Sequence, residues 1–376
     1  MRAIVNGRIL MPDQEITGKA LLFQEKIIGV GDASDAEEII DAQGQYVAPG
    51  LVDVHIHGYL GADASDGDAE GLRRMAKGVL QNGVTSFLPT TMTVAWDTLE
   101  KVFGQIRELK AESQRPDFDG AQVLGCHAEG PFINPKRKGA QAGEHILPPD
   151  ADKVLPYADV IRVLTLAPEM PGGEECIRIL KEKTDMALSV GHTDADFDQA
   201  MAAVRAGADH ATHLFNAMSP LQHRAPGTVA AMLEGDVYCE LIADTFHVDK
   251  ALFPLLARIK GDKLTLITDC TRAGGMPDGE YSLGGQPIFV EGVACRLRDG
   301  TIAGSVLRLN AAVRNWRDHA HVPMYAAVRA ASLTPAESIG AEKEKGSLAP
   351  GKDADIILMD DACRVSAAFI RGRRKL

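Results

Sequence analysis

From about residue 52 onward, the apolar positions fall into two rhythms that alternate along the chain. Short, mainly apolar runs occupy 84–88, 122–126, 160–166, 186–190, 238–242 and 264–268. Such runs predict strands buried on both faces, as in a parallel sheet. Between them, apolar residues recur three and four positions apart. The sets are Leu72, Met75, Ala76 and Val79; Leu99, Val102, Phe103 and Ile106; Phe197, Ala200, Met201 and Val204; and Leu252, Phe253, Leu256 and Ile259. Each set predicts an amphipathic helix with one face on a core. A first strand over 47–54 and a short one before His213 bring the βα units to about eight, the number that closes a (β/α)8 barrel.

Residues 1–50 keep a different rhythm. Strands over 2–10, 19–23 and 26–30, with a tight turn at Gln24-Glu25, predict an all-β segment. β character returns at 281–301, as a hairpin inserted after the last barrel strand, and again at 352–360 and 365–371. The expected fold class is therefore α/β. A TIM-type barrel spans 52–346, and a small β-sandwich-like domain is built from both termini, 1–51 and 347–376.

A barrel brings the C-terminal ends of its strands to one mouth, so residues far apart in sequence share a site. At these predicted ends stand His55 and His57, Glu129, His192, His213 and Asp269. His55 and His57 are two positions apart, so on a strand both rings point to the same side. Imidazole and carboxylate suit zinc or iron, with manganese and cobalt also able to use the set, and an open position makes such a site catalytic. Two ions are expected: one on His55 and His57, the other on His192 and His213, bridged by Glu129. Water between them would lose a proton near neutral pH. Asp269 is placed to take that proton and pass it to a leaving amine. His127 is expected to face away from Glu129 and to lie in the core or behind the ligands. His145 and His210 are expected to be hydrogen-bonded polar residues with no ligand role.

Charge narrows the partners. A net charge of −12 argues against nucleic acid, yet leaves room for a small phosphorylated ligand in a local basic pocket. Arg224, in a loop after a ligand strand, offers the planar donor pair that suits phosphate. The run Lys136-Arg137-Lys138 reads as a solvated loop face. Six cysteines without a C-x-x-C suggest neither a disulfide framework nor a zinc ribbon. No apolar run approaches the roughly 20 residues that span a bilayer, and the N-terminus opens directly into strand alternation. A cytoplasmic protein with no membrane partner is expected.

The motifs, in order, are APGLVDVHIHG (48–58), HAEGPFINPKRKGAQ (127–141), GHTDAD (191–196), THLFNAMSP (212–220), ADTFH (243–247), LITDCTRAGG (266–275), AGS (303–305) and GSLAPGKDADIILMD (346–360). Through them the chain resembles the N-acetylglucosamine-6-phosphate deacetylases of the amidohydrolase superfamily, over essentially its full length. The H-x-H pair and the G-K-x-A-D tail mark the superfamily. The E-G-P-F, H-L-F-N-A-M and late T-D stretches mark the deacetylases.

That resemblance implies hydrolysis of N-acetyl-D-glucosamine 6-phosphate to D-glucosamine 6-phosphate and acetate by a metal-bound hydroxide, in amino-sugar catabolism and cell-wall recycling. It matches Glu129, His192 and His213 to metal ligands of the whole family, and His55 and His57 to the extra pair of its two-metal members. Asp269 matches the acid/base. Ala140, Gln141, Asn216, Ala217, Ile302, Ala303 and Gly304 match residues at the sugar. Arg224 and His247 match the binders of the 6-phosphate, one of which is expected to reach across the interface of a homodimer. Gln141 stands where some members carry a histidine that polarises the acetyl carbonyl, a part the second metal would take here.

Rival readings fit less well. Dihydroorotase- and hydantoinase-like enzymes need a lysine on the fourth strand, and 160–166 has none. Deaminases on this scaffold use one metal and no bridging glutamate. A catalytically silent barrel would be expected to lose a ligand or the aspartate, and all six are kept.

Overall fold

Gly50 divides one apolar run between two sheets. In the computed structural model, which describes all 376 residues, the expected strand 47–54 is two strands. Tyr46–Pro49 joins a terminal sheet, and Leu51–Ile56 (β1) opens the barrel. A Cβ on Gly50 would lie 2.0 Å from Thr85 Oγ1, so no side chain fits at this junction.

The barrel strands after β1 are Val84–Thr91 (β2), Cys126–Glu129 (β3), Ile161–Leu166 (β4), Ala187–Val190 (β5), His210–Ala211 (β6), Tyr238–Ile242 (β7) and Leu264–Ile267 (β8). They pair in parallel in that order. The seam between β8 and β1 closes beyond the end of β8, where Asp269 N–H donates to His55 O at 2.8 Å and His57 N–H to Cys270 O at 2.9 Å. The expected strand 122–126 is interrupted. Leu124 N–H donates to Phe87 O on β2, and from Cys126 onward, whose N–H donates to Val160 O, the chain keeps its pairing with β2 and gains β4 as a second neighbour.

A core of 81 buried residues fills the barrel and the layer between its strands and helices. The predicted faces of Ala69–Leu80 and Trp96–Glu112 are buried. The face of Phe253–Lys260 is narrower than expected: Phe253 and Leu256 are buried, while Leu252 and Ile259 are 37% and 45% exposed. Lys260 takes the inward place in the last turn, with Nζ donating to Met232 O at 3.0 Å and Gly235 O at 2.9 Å.

The termini form two sheets. One is ordered Ile27–Gly31, Ala20–Phe23, Arg2–Val5, Glu38–Asp41; the other Arg373–Arg374, Val365–Ile370, Ile356–Met359, Tyr46–Pro49, Arg8–Leu10, Glu15–Ile16. Antiparallel pairing of Ile356–Met359 with Tyr46–Pro49 joins the two ends of the chain. The expected strand 2–10 is thus split between sheets. It breaks at Asn6, with φ 55°, and at Gly7, whose Cβ would lie 2.5 Å from Val47 Cγ2. Thirteen buried apolar residues fill the space between the sheets. The insert after β8 is a three-stranded meander rather than a hairpin, Gly279–Leu283, Gln286–Glu291 and Ala294–Leu297. It packs on Met92, Ala140 and Ala303 beside the barrel mouth. No helix is long and apolar enough to cross a membrane.

Candidate active site

His55 lies at the end of β1 and His57 just past it, and Glu129 ends β3. His192, His213 and Asp269 each stand just past a strand, with φ of 48°, 29° and 49°. Side chains other than glycine rarely adopt this left-handed region, at about 1–3 kcal/mol each. The surrounding barrel therefore imposes these conformations, and all three residues are buried.

The side chains converge on Glu129. Its Oε1 lies 2.9 Å from His213 Nε2, 3.2 Å from His192 Nε2 and 3.5 Å from His55 Nε2. Its Oε2 lies 3.2 Å from His57 Nε2. Asp269 Oδ1 stands 3.2 Å from His57 Nε2 and 3.5 Å from His55 Nε2, inside the histidine pair's own group. The sequence reading made Asp269 an acid/base alone; its position also makes it a ligand candidate.

The other ring nitrogens decide what this cluster can hold. His57 Nδ1 donates to Thr90 O at 3.1 Å, His192 Nδ1 to Arg137 O at 2.8 Å and His213 Nδ1 to Asn216 O at 3.1 Å. His55 Nδ1 donates to Glu240 Oε2 at 2.8 Å. With each ring proton committed outward, four Nε2 lone pairs face one another and two carboxylates. The pairs are as close as 3.4 Å for His55 and His57 and 3.2 Å for His192 and His213. Divalent cations fit such a donor set. Without one, protons must serve. Burial alone would lower His213, but its hydrogen bond to Glu129 and the charges of Glu129, Asp269 and Glu240 hold it up at about 9. Burial would raise Glu129, yet His192 and His55 keep it well below the usual carboxylate range.

Behind the ligands lies a layer that sequence reasoning read only in part. His127 is two positions from Glu129 and so shares its face, contrary to expectation. It lies beneath the cluster, its ring centroid 4.4 Å from that of His55. Nδ1 donates to Val54 O at 3.0 Å and Nε2 accepts from Thr165 Oγ1 at 2.7 Å. Burial, then the neighbouring His55 charge, push it down to about 3, so it stays neutral. His210 also departs from expectation: it is fully buried and neither ring nitrogen has a hydrogen-bond partner. Glu240, in the middle of β7, was missed, because a lone glutamate in an apolar strand carries no motif.

A cavity of about 370 Å³ opens over the cluster, within the size range of small-ligand sites. Ala140, Gln141, Asn216, Ala217, His247, Ile302 and Gly304 line it. Ala303 does not; it is buried in the core of the insert. Arg224 also lies elsewhere, on an exposed loop bordering a separate cleft with Asp194 and Asp196. His247 is fixed by Asp244, whose Oδ2 accepts from Nδ1 at 2.6 Å. The run at Lys136 is not merely a solvated face: Lys136 and Arg137 line the cavity. Arg137 is held there by Asp194, 2.8 Å from its guanidinium.

Comparison with known proteins agrees with this geometry. The amidohydrolase family model matches residues 46–375. An N-acetylglucosamine-6-phosphate deacetylase of Bacillus subtilis is 40% identical, covering 90% of this chain and 86% of its own. An N-acetylgalactosamine-6-phosphate deacetylase of Escherichia coli O157:H7 is 36% identical, covering 89% of each. The crystal structure of N-acetylglucosamine-6-phosphate deacetylase from Pasteurella multocida superposes with a TM-score of 0.93 at 31% identity, covering 99% of both chains. The chain belongs to the amidohydrolase family and, within it, to the N-acetylglucosamine-6-phosphate deacetylases.

Proposed function

We propose that this chain hydrolyses N-acetyl-D-glucosamine 6-phosphate to D-glucosamine 6-phosphate and acetate. The observation that carries the reading is the convergence of six metal-type donors, five of which line one cavity, in a chain of this family. His55, His57 and Asp269 would hold one ion and His192 and His213 the other, with Glu129 shared. Zinc and iron are the leading candidates, manganese and cobalt the others. When bound, such ions supply Lewis acidity that polarises the acetyl carbonyl and acidifies water.

The remaining steps belong to the protein. The carboxylate of Asp269 takes the proton of the attacking water and returns it to the sugar nitrogen, because an amine leaves poorly without one. Asn216 and Ala217 orient the sugar, and Ala140, Gln141, Ile302 and Gly304 shape its surroundings, with Ala303 packed behind them. His247, held by Asp244, faces the phosphate from within the cavity. Arg224 lies outside its own cavity, which favours it as the phosphate contact lent across the interface of a homodimer. A cytoplasmic setting, no nucleic-acid partner, and a division into 52–346 and the two terminal segments complete the proposal.

A second reading concerns the sugar. The galactosamine-type relative at 36% identity favours an epimer as an alternative substrate. Acetate release from both 6-phosphates, with elemental analysis of the same sample, decides between them. Asp269→Asn is expected to keep metal on the Glu129, His192 and His213 group and to lower kcat at least ~100-fold. Turnover near wild type would remove Asp269 from the mechanism.

A further inference from the structure

Glu240 is fully buried inside the barrel, where it cannot touch substrate, and nothing in the proposed chemistry uses it. A buried carboxylate is costly unless its oxygens are engaged. One of them is engaged twice. Oε2 accepts from His55 Nδ1 at 2.8 Å and from the His213 backbone N–H at 3.1 Å. The backbone of Glu240 adds to this, its carbonyl accepting from Leu214 N–H at 2.9 Å. The other oxygen, Oε1, has no hydrogen-bond partner and lies 3.3 Å from His210 Nε2.

We propose that Glu240 is a positioning residue that ties the two halves of the metal centre together through one carboxylate oxygen. His55 belongs to one group of donors and His213 to the other; His55 is on β1 and His213 just past β6, two strands that do not pair. Only Glu240 Oε2 touches both from behind. The four histidines also differ in a telling way. His57, His192 and His213 rest their Nδ1 on backbone carbonyls; His55 alone rests on a carboxylate. A carboxylate behind an imidazole keeps the proton on Nδ1, points Nε2 at the cation and makes the ring a better donor. It also holds the His213 backbone in a conformation, φ 29°, that a free chain would leave. The inference rests on the reading of His55 and His213 as metal ligands.

The test uses the full-length protein stripped by a chelator and titrated with cobalt(II), whose visible absorption reports coordination, beside elemental analysis. Glu240→Ala is expected to weaken cobalt binding by about 10- to 100-fold and to change the spectrum. At equal metal loading its kcat should fall while KM for the sugar phosphate stays put. Glu240→Gln should recover most of the affinity, since the amide oxygen can accept both N–H groups and the amide nitrogen can donate to His210 Nε2. Wild-type affinity and spectrum in Glu240→Ala, or equal losses in both variants, would overturn the proposal. Wild-type protein that binds one ion per chain would remove the two-ion reading alone. Glu240 would still be judged on that ion, because Oε2 touches both groups. If Glu240→Ala does not fold, nitrogen-15 spectra of the metal-free wild type decide: a His55 proton on Nδ1 is expected, and an Nδ1 without a proton would sink the assignment.

Discussion

The amide of Gln141 donates to Glu129 Oε2 at 2.5 Å, and the other end of the same amide accepts from Thr93 N–H at 2.6 Å. Gln141 lines the cavity, but its polar atoms are committed to the frame of the metal centre. The resemblance suggested a sugar contact; the hydrogen bonds favour a support for Glu129. Gln141→Leu keeps the bulk and leaves Thr93 N–H and Glu129 Oε2 without that partner. A stability loss of about 1–3 kcal/mol is expected, with faster metal loss to a chelator. Gln141→His can reach one of the two partners and should fall between. Thermal unfolding and timed metal analysis check both, and unchanged metal retention in Gln141→Leu would discard this role.

Arg224 and Asp269 separate cleanly in space, one outside the cavity and one on its floor. If Arg224 serves the partner's site, Arg224→Ala on one subunit and Asp269→Asn on the other fall on the same site of a mixed dimer. One site then keeps both residues. Mixing the two variants under conditions that exchange subunits should restore activity that neither shows alone. Arg224→Ala by itself should raise KM for the phosphorylated sugar far more than for the unphosphorylated one. Absence of restored activity in proven mixed dimers would place Arg224 at its own subunit's site or at none.

The barrel was legible because strands buried on both faces leave mainly apolar runs; seven of the eight strands lie near such runs, and the eighth is the short one expected before His213. The runs do not reveal which sheet a strand joins. Hence 47–54 and 2–10 each looked like one strand and proved to be two. The ligands were legible because strand ends in a barrel converge. Their supports were not: Glu240 meets His55 across 185 positions of chain, and no local spacing encodes that contact. His127 is a different case. The two-residue period of a strand places it on the face of Glu129, so its position was available from spacing and was misjudged.

The G-K-x-A-D tail acquires a structural reason in the buried cluster around Lys345. Its Nζ lies 2.7 Å from Asp353 Oδ2 and 2.8 Å from Asp355 Oδ2, and it also reaches Gln122 beside β3. Lys26 approaches Asp353 Oδ1 at 2.7 Å, so barrel and terminal sheets share one set of charges. Burial would lower Lys345, but Asp355 and Asp353 raise it. Burial would raise Asp353, but Lys345 and Lys26 lower it. The lysine's contribution is complete below its unfolded pKa, about 10.4, and is lost as pH rises through the raised value. The contribution of Asp353 is complete above about 3.9 and is lost as pH falls through the depressed value. Lys345→Met removes the buried cation between the two carboxylates, leaving Asp353 to Lys26 and Asp355 without an ion partner, and should cost about 3–5 kcal/mol at neutral pH. Denaturant unfolding measures it; a loss under ~1 kcal/mol would contradict the role.

Metal and protons should compete at His213. In the metal-free protein, burial lowers this histidine less than its hydrogen bond to Glu129 and the nearby carboxylates raise it, to about 9. The unfolded value is about 6.5. A raised group stabilises the folded state fully below the unfolded value and loses that contribution as pH climbs through the folded one. Chelated protein should therefore lose stability between about pH 6.5 and 9. In the loaded protein the cation supplies the positive charge instead, and its binding releases protons, so affinity rises over the same window. Thermal melts across this range, with chelator and with metal, should diverge as pH rises. Parallel curves would mean that His213 holds no proton in the empty centre, and that its Nε2 is not where cation and proton exchange.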